Sequence, residues 1–292
     1  MSEILFFTAG KIDFASSRYR GYWPAKYMPS VEVHPLEYAL QSGVPFRGDT
    51  KTIIFQKYWY APTMKYAQDH GYKVIWDVCD PSWWFTPEDC REALKYADIV
   101  TASTQEVLDD LIEQYSDMVI DGVVIPDAFN LDHYRDADNY GREYDGKTIN
   151  LVWYGHENNR FTLISHLAEL QRLVHVNKKI VNLTILDGAG GNDFYDPTIN
   201  IKHVPWSLDK EVEVIASHNL AFLPSYPGMW GKLKSDNKQV HAGLCNVLVY
   251  DPAKPRAPLL KMLEWGRDEI DEGWLKLHDA RVVAEQWLEV AS

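Results

Sequence analysis

The sequence predicts an α/β protein made of two Rossmann-like parallel-sheet domains that face each other across a cleft. Three observations predict it. Short apolar runs of strand length alternate with helical stretches over roughly the first 125 residues. A polar, Asp-rich segment, Phe129 to Lys147, then interrupts the pattern. The same alternation restarts at Ile149, with no sequence repeat of solenoid period. Residues 1–130 are read as a first domain, 147–270 as a second, and 271–292 as a C-terminal helix packing back on the first.

Each element has its own signal. Ile4 to Thr8 is an apolar run closed by Ala9-Gly10, a first buried strand. Ser16 or Ser17 is a candidate cap for a helix carrying Arg18, Arg20 and Lys26 among aromatic residues. Thr52 to Gln56 is a strand, and Ala61 to His70 a helix ended by Gly71. Lys73 to Val78 is the next strand, and Pro87 opens a helix towards Tyr96. Asp98 to Ala102 is a strand, after which Ser103 or Thr104 caps the helix TQEVLDDLIEQY. Val119 to Ile125 closes the first domain at Pro126-Asp127. In the second, strands at Ile149 to Tyr154, Val181 to Leu186, Ile199 to Val204, Leu220 to Leu223 and Val247 to Tyr250 alternate with helices. The helices are Phe161 to Val174, Asp209 to Ser217 and one capped by Ser235. Leu259 to Glu269 and Gly273 to Val290 read as the last two helices.

Composition narrows the function. The formal net charge of −13 disfavours general sliding on nucleic acid, which needs a basic surface. Three cysteines, Cys79, Cys90 and Cys245, show neither metal spacing nor a disulfide framework, so a reducing cytoplasm is the expected setting. No apolar run approaches the ~20 residues that span a bilayer.

The stretch from Leu220 to Tyr250 carries the most chemistry. Lys232 and Lys234 precede a helix start, and Lys238 lies in its first turn, where a cation opposes the helix dipole. Unpaired amides at such a start suit an anion. The segment is either a diphosphate site or a solvated loop that happens to hold lysines. Other candidates sit at strand ends, where open α/β sheets bind ligands. They are Gly10, Arg18 and Arg20 after the first strand, and Gly155, His156, Asn158 and Asn159 after the first strand of the second domain. The arginines read either as facing a cleft or as snorkelling on a surface helix. Asp77 and Asp80, beside Trp83 and Trp84, are the carboxylates offered for acceptor contact or proton uptake, or else form a turn above core tryptophans. Tyr226 and Trp230 either pack on a ligand or close their loop.

Several chemistries are unsupported. No G-x-G-x-x-G follows the first strand, and no G-x-x-x-x-G-K-[ST] occurs. Asp187-Gly188-Ala189-Gly190-Gly191 is a weak glycine loop placed mid-chain. There is no G-x-S-x-G, no H-E-x-x-H and no D-x-D outside the Asp136–Asp138 linker.

Four stretches in the second half, LVWYGHENN, LTILDGAGG, HVPW with LDKEVEVIASHNLAFLPS, and KLKSDNKQVHAGLCNVLV, resemble the nucleotide-sugar domain of GT-B glycosyltransferases. The likeness is to retaining enzymes of glycosyltransferase family 4. ADIVTASTQEVLDDL and VVIPDAFNLDHY resemble the family's first domain. The sequence departs from the family where its paired glutamates stand: Leu233 and His241 take those positions, and Asn246 replaces a glycine. The resemblance implies an acceptor-side first domain and a second domain that binds a nucleotide-diphosphate sugar without metal or other cofactor. Gly10, Arg20, Gly155, Asn158, Asn159, Trp206, Lys234, Ser235, Asn237, Lys238 and His241 are the expected donor contacts, with His241 on the ribose. Asp80, His156 and Lys234 are the expected catalytic groups. The expected acceptor is a glycan or small molecule, with a modified DNA base as the alternative. A non-catalytic nucleotide-sugar-binding protein is the reading from a different class.

Overall fold

In the computed structural model, which describes residues 3–37, 48–57, 59–141, 143–188, 195–264 and 271–292, the first apolar runs form a parallel sheet. Its strands are β1 (Ile4–Thr8), β2 (Val31–Pro35), β3 (Thr52–Gln56), β4 (Lys73–Val78), β5 (Ile99–Ala102) and β6 (Gly122–Val124), in the order β2-β1-β3-β4-β5-β6. Every residue of β1 and β3 is buried, as expected of strands covered on both faces. Beside them lies β2, which the sequence does not announce. Its five residues, VEVHP, are all half-buried, and its proline is tolerated because β2 pairs only with β1 at the sheet edge.

Helices cross between these strands. Ala61–Asp69 ends where Gly71 takes a φ of +78°. Thr104, not Ser103, caps Gln105–Gln114: its Oγ1 accepts from the Val107 N–H at 3.2 Å. The first helical stretch begins at Ala15 and contains a π-helical turn, Arg18–Tyr22, before Trp23–Ala25. The C-terminal segment is broken where one helix was expected. Glu272–Lys276 ends before Asp279, whose carboxylate accepts from the Arg281 N–H at 2.9 Å and starts Ala280–Ala291. That last helix packs on the first sheet. The Trp287 ring meets Phe6 edge-on at 5.2 Å, and the Thr52 hydroxyl donates to the Ala291 carbonyl at 2.8 Å.

The second sheet is also parallel, with β7 (Thr148–Tyr154), β8 (Ile180–Asp187), β9 (Asn200–Pro205), β10 (Leu220–Phe222) and β11 (Leu248–Tyr250) in the order β11-β10-β7-β8-β9. A ladder of side-chain amides fixes its register. Asn200 donates to Asn182 at 3.0 Å, and Asn182 to Asn150 at 2.9 Å. The expected helix 161–174 is two helices, Arg160–Ile164 and Leu167–His175. Part of the expected lysine loop is a helix, Gly228–Lys232. A Cβ on Gly231 would fall 2.1 Å from the Tyr226 carbonyl oxygen, so only glycine fits there. Gly190 and Gly191, and the expected helix beyond residue 264, lie outside the described residues.

The chain divides into two compact units. Unit 1 comprises Met1–Asn130, Lys232–Ser235 and Lys276–Ser292; unit 2 comprises Leu131–Gly231 and Asp236–Leu275. The strand order reverses between β1 and β3 in unit 1 and between β7 and β10 in unit 2, the positions where such sheets open towards a ligand.

Candidate functional site

In unit 2 the reversal point is lined by the end of β7 and the helix Asn237–Leu244, which leads to β11. Gly155 follows β7 with a φ of +154°. A Cβ placed on it would lie 2.9 Å from the Lys238 Nζ, so the missing side chain leaves room for that ammonium at the strand end. Lys238 Nζ also sits over the Trp153 ring at 5.4 Å. The neighbouring Tyr154 hydroxyl donates to the Lys238 carbonyl at 2.6 Å and ties strand to helix.

Behind this contact lies a polar network within unit 2. The His241 ring packs between Tyr134 and Tyr154 at 5.4 and 5.3 Å. Its Nε2 lies 3.9 Å from Glu211, a fully buried carboxylate. Glu211 accepts from the Trp206 Nε1 at 2.7 Å and pairs with His133 at 3.1 Å. His241 is itself buried, so its ring is part of the packing under the strand end. His156 is exposed and accepts from the Asn158 N–H at 3.3 Å, while the Asn159 N–H donates to its carbonyl at 2.8 Å. Asn158 and Asn159 thus form the turn that starts Arg160–Ile164. Arg160 grips Asp187 at the end of β8 with two bonds, 2.5 and 2.8 Å. Asn237 is half-buried at the first position of its helix.

In unit 1 the strand ends hold a charged cluster. Arg20 and Asp77 are completely buried, joined by bonds of 3.2 and 2.6 Å. Arg20 also donates to the Ile125 carbonyl and lies 3.7 Å from Asp127. Thr101 completes the Asp77 shell at 2.8 Å. Beside it, Asp80 receives Lys57 on one oxygen at 2.5 Å and Lys234 on the other. Burial pushes the Asp80 carboxyl up, but Lys57 and Lys234 outweigh it and hold the group below the usual carboxylate value. Burial raises the Cys79 thiol to about 12, so it stays protonated and unreactive. At the end of β1, the Gly10 N–H donates to Ser17 Oγ at 2.9 Å, and Gln56 accepts from the Ala9 N–H at 2.8 Å.

The structure revises several expectations. Arg18 and Arg20 neither face open space nor snorkel on a surface, because both are buried. Asp77 has no exposed surface with which to touch an acceptor. Trp83 is core, and the Trp83 and Trp84 indoles both donate to Asp110, at 2.7 and 2.9 Å. Ser235 is not the helix cap: its hydroxyl donates to Asp127 at 2.7 Å, and Asp236 holds the position before the helix. Leu233 is buried in the unit 1 core with Trp76 and Trp83. Asn246 has a φ of +58°, a conformation asparagine tolerates, and donates to Asp138 at 2.7 Å. Glu211, Tyr154 and the pairing of Lys57 were missed. Only the unusual burial of a charged helix residue marks Glu211, and burial is not written in a single sequence.

Among the described residues no group of three or more His, Cys, Asp or Glu side chains is placed to hold a metal. No described helix is long and apolar enough to cross a membrane. No family model matches the sequence, and no curated protein matches it. Solved structures do match in fold. A glycosyltransferase from Rickettsia africae is 10% identical with a TM-score of 0.66, covering 99% of this chain and 98% of its own. An alpha-glucosyltransferase solved with UDP and a 13-mer DNA containing an A:G mismatch is 10% identical with a TM-score of 0.63, covering 99% of both chains. Trehalose-6-phosphate synthase OtsA is 9% identical with a TM-score of 0.60, covering 95% of this chain and 82% of its own. The fold is therefore α/β with two parallel sheets, one of six strands and one of five, of the GT-B type found in these glycosyltransferases.

Proposed function

We propose that this protein is a glycosyltransferase that moves a sugar from a nucleotide-diphosphate sugar to an acceptor hydroxyl. One observation carries the reading: an ammonium, Lys238, beside the side-chain-free Gly155 at the reversal point of the second sheet, on the first turn of a helix. Breaking the bond from the anomeric carbon leaves negative charge on the departing diphosphate. A lysine and a helix start, fixed before the reaction, stabilise that charge without reorganising. Trp153 and the Tyr154 bond to the helix hold the lysine in place. On this reading the positive charge comes from the protein, and no divalent ion or other cofactor is required.

A thermal-shift screen over nucleotide sugars tests it, since a ligand that binds only the folded state raises its stability. Stabilisation by at least one nucleotide-diphosphate sugar is expected; none across UDP-, GDP-, ADP- and TDP-sugars would remove the basis of the proposal. Lys238→Ala should weaken nucleoside diphosphate binding by about 1.5–3 kcal/mol, the loss of a charged hydrogen bond, read by calorimetry.

The stretches described above resemble those of retaining family 4 enzymes, and from that resemblance we propose transfer with retention, which the anomeric configuration of the product tests. A glycan or small-molecule acceptor is favoured over DNA. The net charge is −13, and among the basic residues near the strand ends of unit 1, Arg18 and Arg20 are buried and Lys57 is paired with Asp80. The alpha-glucosyltransferase solved with DNA keeps the second acceptor in view. Turnover on a hydroxymethylated duplex, compared with glycan acceptors, separates them, and turnover on any acceptor excludes a purely binding role.

A further inference from the structure

The charged cluster of unit 1 has two parts with different access. Arg20 and Asp77 are sealed from solvent. Lys57, Asp80 and Lys234 are not: their side chains are 22%, 22% and 33% exposed. Two ammonium groups, contributed from distant parts of the sequence, share one carboxylate, one on each oxygen. Without that carboxylate they would repel each other at this range. Lys57 also holds a left-handed φ of +64°, a conformation uncommon for residues other than glycine, asparagine and aspartate. Its N–H donates to the Asp77 carbonyl at 2.8 Å, and its ammonium lies 5.5 Å from the Phe14 ring centre.

A phosphate group offers lysines what a carboxylate offers, oxygens sharing negative charge, with more charge and a further oxygen. We propose that Lys57 and Lys234 form a phosphate-binding site in which Asp80 stands as the resident counter-ion, and that a phosphate group binds by displacing it. Binding there is an exchange of one anion for another. Asp80 therefore keeps the two lysines ordered when no ligand is present and weakens phosphate affinity by competing for them. The ligand class is a phosphomonoester or a diphosphate. This inference concerns unit 1 alone and does not depend on the reaction proposed above.

The test is calorimetric titration of inorganic pyrophosphate and inorganic phosphate into the full chain and its Asp80→Asn variant. Removing the competing charge should tighten pyrophosphate binding at least tenfold, and adding Lys234→Ala should abolish the gain. Equal or weaker binding by Asp80→Asn, no binding by either protein, or a gain that survives loss of Lys234 would overturn the proposal. If Asp80→Asn does not fold, Lys57→Met/Asp80→Asn, which removes one charge of each sign, is compared with Lys57→Met alone. The double variant should then bind more tightly, and equal or weaker binding would again overturn the idea. Competition in the Asp80→Asn/Lys238→Ala background, where the lysine proposed for the donor is gone, separates the two sources of the group. UDP displacing pyrophosphate identifies the diphosphate of a nucleotide, and UDP binding alongside phosphate identifies a separate phosphorylated molecule.

Discussion

At Gly155 one missing side chain sets both backbone and chemistry. Its φ of +154° is unfavourable for residues with a Cβ, and the space a Cβ would fill is where Lys238 ends. Gly155→Ala should cost about 1–3 kcal/mol of stability in denaturant titration, from backbone strain. It should also weaken nucleoside diphosphate binding, because the lysine must move; unchanged binding would separate glycine from ligand. Asp80 makes a pH prediction. Its folded pKa is depressed, so its contribution to stability is complete above the ordinary carboxylate value of about 4 and is lost as pH falls through the lower folded value. The Tm gap between wild type and Asp80→Asn should therefore be constant near neutrality and shrink at acid pH; a gap unchanged down to pH ~3 would contradict this linkage. Asp77→Ala should cost about 3–5 kcal/mol, since it strands a buried guanidinium. Such partnerships were not legible in the sequence. Lys234 and Asp80 are 154 positions apart, and nothing local to either names the other. Local rules did work where the partner is near, as at Thr104, whose hydroxyl reaches an amide three residues on.

At the scale of elements, legibility followed burial. Strands buried throughout, such as β1 and β3, match the expected ranges to the residue, because a continuous apolar run has few other uses. The half-buried edge strand β2 did not show, since VEVHP has neither a clean run nor favourable composition. Helix breaks at Ser165-His166 and Leu277–Asp279 were also missed, because helical periodicity continues through them while a local cap or turn decides. The helix Ala280–Ala291 makes the clearest prediction at this scale. Trp287 is fully buried against Phe6 and carries the Arg20 guanidinium over its ring at 5.3 Å. Trp287→Ala should cost about 3–5 kcal/mol, measured by urea unfolding, through lost burial and a cavity. A loss below ~1 kcal/mol would mean the helix is an accessory to the sheet.

For the whole molecule, the architecture of two parallel sheets was readable from the restart of the strand–helix alternation at Ile149. Beside the C-terminal stretch Lys276–Ser292, for which a return to the first domain was expected, Lys232–Ser235 also groups with Met1–Asn130. So short a segment carries too little pattern to announce its neighbours. The proposed reaction gives one prediction at this scale. Sugar transfer should continue in excess EDTA, because Lys238 supplies the charge that a divalent ion would otherwise bring; complete loss, restored by magnesium, would refute that part of the reading. The interleaving also matters during synthesis. Translation runs from the amino end, so the six strands of the earlier sheet leave the ribosome well before Ala280–Ala291 exists to cover Phe6 and accept from Thr52. The nascent first unit must wait, sticky and incomplete, for the final stretch, and a chain stalled before Lys276 would be a substrate for chaperones and proteases.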